Sequence, residues 1–185
     1  TVLDGEKLGT VVTFSFVGSF CGVDGFVIHN GSGKAQASGG GVMAASSSPV
    51  ISNNVIAECA AGYGYGVCLI NSGGKVISNL LHGNSPNEYS YGGADVWASD
   101  GGSPVITGNV IKGDTSVYGS GVYIRNCLSA VVSNNLVTDY SSRGVSAVQT
   151  SVTIVGNTLV RSKTPGDAYG VATESCSGLV ANNIV

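Results

Sequence analysis

The sequence predicts an all-β solenoid, a stack of short parallel strands wound into coils, and two repeats that advance together predict it. The first is an asparagine phrase that occurs six times: an aliphatic pair, small polar residues ending in asparagine, then more aliphatics. Val50-Ile51-Ser52-Asn53-Asn54-Val55-Ile56 is its clearest copy. The copies place Asn54, Asn79, Asn109, Asn135, Asn157 and Asn183 at steps of 25, 30, 26, 22 and 26 residues. The second repeat is a glycine-led strand. The residue after the glycine is Val42, Val67, Ala94, Val122, Val145 and Val171, at steps of 25, 27, 28, 23 and 26. A fixed unit with elastic spacing is the mark of stacked repeats.

Each element follows from local chemistry. The apolar runs are four to six residues long, rich in Val and Ile, and bounded by Gly, Asn and Ser, which is the pattern of strands. Turn pairs such as Asp4-Gly5, Asp24-Gly25, Asn30-Gly31 and Asp100-Gly101 occur singly, so hairpins do not join successive strands. A coil of about 25 residues holding three strands accounts for both repeats. The repeated asparagine is expected at a tight bend, because Asn tolerates the left-handed region better than other non-glycine residues. Stacked coils set its amides about 4.8 Å apart, close enough for each to donate to the next. Gly108 and Gly156, just before the Asn, serve the same bend.

These phrases resemble the right-handed parallel β-helix of the pectin-lyase-like superfamily, with its PbH1-type repeats. The stretch from Gly25 to Gly41 is similar to repeats of large bacterial surface proteins. The resemblance implies one domain over residues 1–185, a single-stranded right-handed parallel β-helix of about seven coils with three short strands each. It makes the glycine-led strands the first sheet, the Val-Ile-Ser strands the second, and the residues after Asn the third. It leaves residues 82–92, 112–120 and 160–169 as variable loops. The chain begins abruptly at Thr1 and ends within a strand at Val185. The expectation is therefore either a piece of a longer chain or copies that self-associate end to end.

Composition narrows the function classes. Charged residues are 10% of the chain against roughly 25% in ordinary domains, and the net charge is −3 without a basic cluster, so nucleic acid is not an expected partner. No apolar run approaches the 18 or so residues that span a bilayer, so no membrane insertion is expected. Cys21, Cys59, Cys68, Cys127 and Cys176 are odd in number and irregular in spacing. They fit no zinc site and no complete disulfide framework, and they read as small hydrophobes. No metal site is expected.

Side chains alternate along a strand. If Val42/Ala44, Val67/Leu69, Ala94/Val96, Val122/Ile124, Val145/Ala147 and Val171/Thr173 point inward, the outward set includes Cys68, Asp95, Trp97, Tyr123, Arg125, Ser146 and Glu174. The only tryptophan of the chain is thus on one face with a tyrosine, an arginine and an acid. By the resemblance, this face is the polysaccharide groove. Asp95, Trp97, Tyr123 and Arg125 are its candidate binding residues, with Glu174 as a separate subsite. A cross-strand cluster that only stabilises the sheet, by roughly 0.2–1 kcal/mol per pair, is the competing reading.

Catalysis has less support. A glycosidase needs two carboxylates about 5–9.5 Å apart, and Asp95 is alone on its coil. Asp114, Asp139 and Asp167 fall in turns or loops. A uronate lyase would use Arg125 or Arg143 as base and a carboxylate cluster for calcium, and the sequence lacks that cluster. The reading is a non-catalytic extracellular or cell-surface module, bacterial in type, with an adhesive or carbohydrate-contacting face, no cofactor, and a polysaccharide or glycan as partner. A polysaccharide lyase or glycoside hydrolase using Asp95 and Arg125 is the alternative, and an end-stacking structural repeat is a further one.

Overall fold

A computed structural model describes residues 1–34, 38–88, 90, 92–113, 119–161 and 168–185. The fold is a parallel β-solenoid with three sheets of seven strands each. The first sheet runs through Val12–Ser15, Val42–Ala45, Gly64–Ile70, Ala94–Ser99, Ser120–Arg125, Arg143–Val148 and Tyr169–Glu174. The second runs from Gly22–Asp24 to Ser177–Ala181, and the third from Val2–Asp4 to Thr158–Arg161. About seven coils were expected and six are complete, from Val12 to Arg161. The strand Val2–Asp4 precedes them, and Tyr169–Glu174 and Ser177–Ala181 follow, in incomplete turns.

The interior is a set of columns, one residue per coil. Ile28, Ile56, Leu81, Ile111, Val137 and Leu159 form one column, and Val23, Ile51, Val76, Ile106, Val132 and Ile154 another, all buried. Parallel pairing puts like over like, Ile28 on Ile56 and Ile106 on Val132. Each buried aliphatic side chain contributes about 1.5–3 kcal/mol, so these columns supply most of the drive to fold. At the last turn Val180 is half-exposed where its partner Ile154 is fully buried.

The asparagines form a ladder inside this core. Nδ2 of Asn54, Asn79, Asn109, Asn135 and Asn157 donates to Oδ1 of the ladder asparagine one coil on, over 2.9–3.1 Å. The same Oδ1 accepts the backbone N–H of the preceding Asn, and Nδ2 also reaches a backbone carbonyl of the coil before. At the first rung Phe26 replaces the side chain, and its N–H donates to Asn54 Oδ1.

One expectation is corrected. The left-handed residue of this bend is not the ladder asparagine but the residue before it: Asn53, Ser78, Gly108, Asn134, Gly156 and Asn182, with φ of 54–67°. The left-handed residue turns its side chain to solvent, and the turn aims the next one inward. The other corners repeat the device. Ser46, Asn71, Asp100, Asn126 and Gln149 precede the second sheet, Asn30, Glu58 and Gly83 follow third-sheet strands, and Asp139, expected in a turn or loop, sits at a register irregularity inside the third-sheet strand Leu136–Tyr140, all at positive φ. Asp114 and Asp167 lie outside the described residues.

All five cysteines are free, and Cys59, Cys68 and Cys127 are buried. Burial pushes the thiols of Cys59 and Cys127 up to about 11 and that of Cys68 up to about 12.

Replacing Asn109 with Ala leaves Asn79 Nδ2 and N–H, Val76 C=O and Asn135 Oδ1 short of partners. It is expected to destabilise the fold by about 3 kcal/mol or more, whereas Ser78→Gly stays within about 0.5 kcal/mol, both read from urea unfolding midpoints. The thiols give a pH signature. Unfolded thiols ionise near 9.0 and the folded ones resist to about 11–12, so their contribution is full below pH 9 and is lost as pH rises through that window. Cys59→Ala is expected to flatten the alkaline fall of the urea midpoint. A thiol reagent at neutral pH should label Cys21 and Cys176 in the folded protein and all five only after denaturation, as counted by mass spectrometry.

Candidate functional site

The outward face of the first sheet carries an aromatic column. Trp97 is in register with Tyr123 on one side and Cys68 on the other. Cys68 is too small to cover an indole, and Tyr63, from the turn leading into that strand, takes the place. The Trp97 ring lies 4.4 Å from Tyr63 and 4.3 Å from Tyr123 between centroids, with interplanar angles of 14° and 10°. Parallel stacks of this kind contribute about 0.5–1.5 kcal/mol each beyond their buried area. Trp97 is 6% exposed, so neither of its faces can receive a sugar. Tyr123, half-buried, ends the column and lines a hollow on the side of Ser146, whose small side chain is buried.

Asp95 does not join this face. It was expected outward and is 1% exposed, with Asn84 Nδ2 donating to its Oδ1 over 3.2 Å. The strand register explains the difference. Val96, not Ala94, pairs with Val67 and Val122, so Val96 and Ala98 are the inward pair of this strand. Ala94 pairs with Gly64 and with Ser120, so Asp95 stands beside Gly121 on one side and opposite both Tyr65 and Gly66 on the other. Asp95 thus occupies the corner position that Gly66 and Gly121 hold in the coils on either side, where a Cβ meets Leu81 and Val137 of the core. The neighbouring coil makes room with glycine: a Cβ on Gly66 would come within 3.2 Å of both Asp95 O and Asn84 Nδ2. Asp95 and Arg125 are therefore not brought together.

The remaining candidates border two hollows that share Tyr123 and Arg143. In register after Tyr123 come Ser146 and Ala172, both small. The step from a ring to small side chains opens a groove of about 730 Å³, edged by Arg143, Tyr169 and Glu174. Glu174 was expected as a separate subsite, and it lies in the same groove as Tyr123. The second hollow, about 350 Å³, is lined by Tyr63, Trp97, Tyr123, Arg125 and Arg143 among others. Arg125 is exposed at its strand end.

The charges are sparse. His29 Nε2 lies 3.4 Å from Asp4 Oδ2, on the third sheet, away from this face. Among the described residues no three His, Cys, Asp or Glu side chains gather in a way that could hold a metal ion. Sequence reasoning missed Tyr63 and Tyr169. Tyr63 precedes its strand and Tyr169 opens its own, both ahead of the glycine from which alternation was counted. The Tyr63-Gly64-Tyr65-Gly66 run was the signal available for the first.

A family model described as the right handed beta helix region matches residues 39–185, well over half of the chain. No curated protein and no solved structure matches the chain.

Asp95→Ala would remove the acceptor of Asn84 Nδ2 and leave a void at a buried corner. The expected outcome is a loss of about 1–3 kcal/mol in unfolding free energy, with the near-ultraviolet dichroism of the Tyr63–Trp97–Tyr123 stack retained below the transition.

Proposed function

The chain belongs to the right-handed β-helix family, and from that premise we propose that it is an extracellular or cell-surface module whose first-sheet face contacts carbohydrate without catalysis. The observation that carries this reading is the half-buried Tyr123 ring, which lines the groove edged by Arg143, Tyr169 and Glu174. A sugar ring stacks on such a ring, and the arginine and carboxylate supply a donor and an acceptor for its hydroxyls. Trp97 reports on the site rather than binding, because Tyr123 is the ring between it and the groove. A rigid sheet holds these groups in place before the ligand arrives, which limits the ordering that binding requires. Among the described residues, no helix is long and apolar enough to cross a membrane.

The catalytic alternative, a polysaccharide lyase or glycoside hydrolase, has less in its favour. Glu174 is the one carboxylate among the described residues that line the groove, and Asp95 is turned into the core. A pair of carboxylates or a calcium cluster is what that chemistry asks for. End-to-end self-association is a further alternative. Sedimentation over a range of concentrations tests it, and it predicts association that is indifferent to changes at Tyr123.

Titration of Trp97 fluorescence with a panel of polysaccharides, while reducing ends and unsaturated products are followed, tests the leading reading. A saturable change without product is expected, and Tyr123→Ala should weaken it by about ten-fold or more. A flat response across the panel would count against glycan contact at this face, and product release would convert the module into an enzyme.

A further inference from the structure

We propose that the outward face of the third sheet is a dimer interface, on which a second copy of the chain docks with its solenoid axis antiparallel to the first. The proposal is independent of the glycan reading, because it concerns a different sheet. The first observation is a column. Val2, Val27, Val55, Leu80, Val110 and Leu136 stack in register from coil to coil, and Thr158 continues the line. Val55 is half-buried, and the other five aliphatics are 36–58% exposed. A continuous aliphatic ridge that faces outward along a whole sheet is the kind of patch that marks an interaction site.

The second observation is the order of charge along this face. Two residues further along each strand runs a parallel column of Asp4, His29, Ala57, His82, Lys112 and Thr138. Asp4 is on the first strand of the sheet, and Glu58 follows Ala57 of the third. Lys112 is on the fifth strand, and Arg161 closes the seventh. All four are exposed. Glu6 and Lys7 offset one another in the turn after Asp4, and Asp139 is the acid that stands among the later coils. A copy turned the same way would set acid beside acid and base beside base. A copy turned end for end sets acids toward bases, which is the complementarity that fixes register between partners.

Symmetry then fixes the contacts. A two-fold axis along the strand Leu80–His82, the fourth of the seven, keeps each column opposite the same column and reverses the order of the coils. Leu80 and His82 meet their own copies, Val55 meets Val110, and Val27 meets Leu136. Lys112 comes over Ala57, whose small side chain leaves room for it, and beside Glu58. Asp4 comes toward the end of the strand that Arg161 closes. Seven strands at about 4.8 Å, each three residues long, make a face of about 30 by 10 Å. A dimer on so narrow a face belongs to the weak class of interfaces. The first sheet takes no part, so the dimer carries two copies of the Tyr123 groove.

Sedimentation equilibrium of the whole chain from about 10 μM to about 1 mM, at pH 8 and low salt, tests this. A monomer–dimer equilibrium that stops at two copies is expected, and it should weaken as salt is raised. Leu80→Asp sets two carboxylates face to face on the axis and should raise the dimer dissociation constant about ten-fold or more, with far-ultraviolet dichroism unchanged. The exposed charges give a second test that spares the fold. Glu58→Lys and Lys112→Glu should each weaken the dimer by about three-fold or more, and the two changes together should restore it. Tyr123→Ala should leave it as it is. A monomer at every concentration would overturn the proposal. Association that grows past two copies and ignores Leu80→Asp would overturn it in favour of end-to-end stacking. A double charge reversal no tighter than the single ones would overturn the antiparallel arrangement.

Discussion

Each buried ladder amide is satisfied by the same amide one coil away together with backbone groups of the coil before, and the rest of the structure depends on that constraint. Each ladder asparagine offers Nδ2 to the next coil and to the carbonyl of the previous one, and its Oδ1 takes two donors from the previous coil. An apolar residue there would strand a backbone N–H in the core, where an unmatched donor is unfavourable by about 1–3 kcal/mol. The ladder therefore fixes the register of every coil against its neighbours. Coils of 22 to 30 residues close on the same point. The differences in length are taken up in the loops, away from the ladder.

Fixed register turns side chains into columns. Inside, a column of similar aliphatics packs without voids. Outside, a column becomes a surface whose relief is read residue by residue along the axis. The first-sheet column passes from Trp97 to Tyr123, Ser146 and Ala172. That order produces the aromatic stack at one end, a half-buried ring in the middle and a groove at the other. No loop movement is needed to form it. The same rigidity makes the face suited to presentation and leaves the chemistry to the few polar groups on its rim.

One coil departs from the pattern. Asp95 stands at a corner where the adjacent coils have Gly66 and Gly121, and the acid turns inward to Asn84. The same coil carries the chain's single tryptophan, whose two faces are covered by Tyr63 and Tyr123 and whose N–H has no acceptor among the described residues. Local rules are broken at the coil that heads the candidate site, which is where a working surface is expected to depart from its scaffold.

The sequence by itself determined the solenoid, the assignment of strands to three sheets, the ladder of six asparagines and the inward phase of the regular coils. These were legible because each depends on a pattern that repeats: like residues recur at each coil, and alternation along a strand needs no knowledge of distant contacts. The bend was misplaced by one residue, since both positions of Asn53-Asn54 are asparagine and only the backbone separates the turning residue from the inward one. Tertiary structure alone decided that Asp95 is buried, because only the pairing between coils shows that Asp95, and not Gly93, stands in register with the inward-facing corner glycines Gly66 and Gly121. It also decided that Tyr63 covers Trp97 and that Tyr123 is the ring that lines the groove. Stacking between side chains from different coils depends on which neighbour is small enough to be overlaid, and Cys68 shows that only in place.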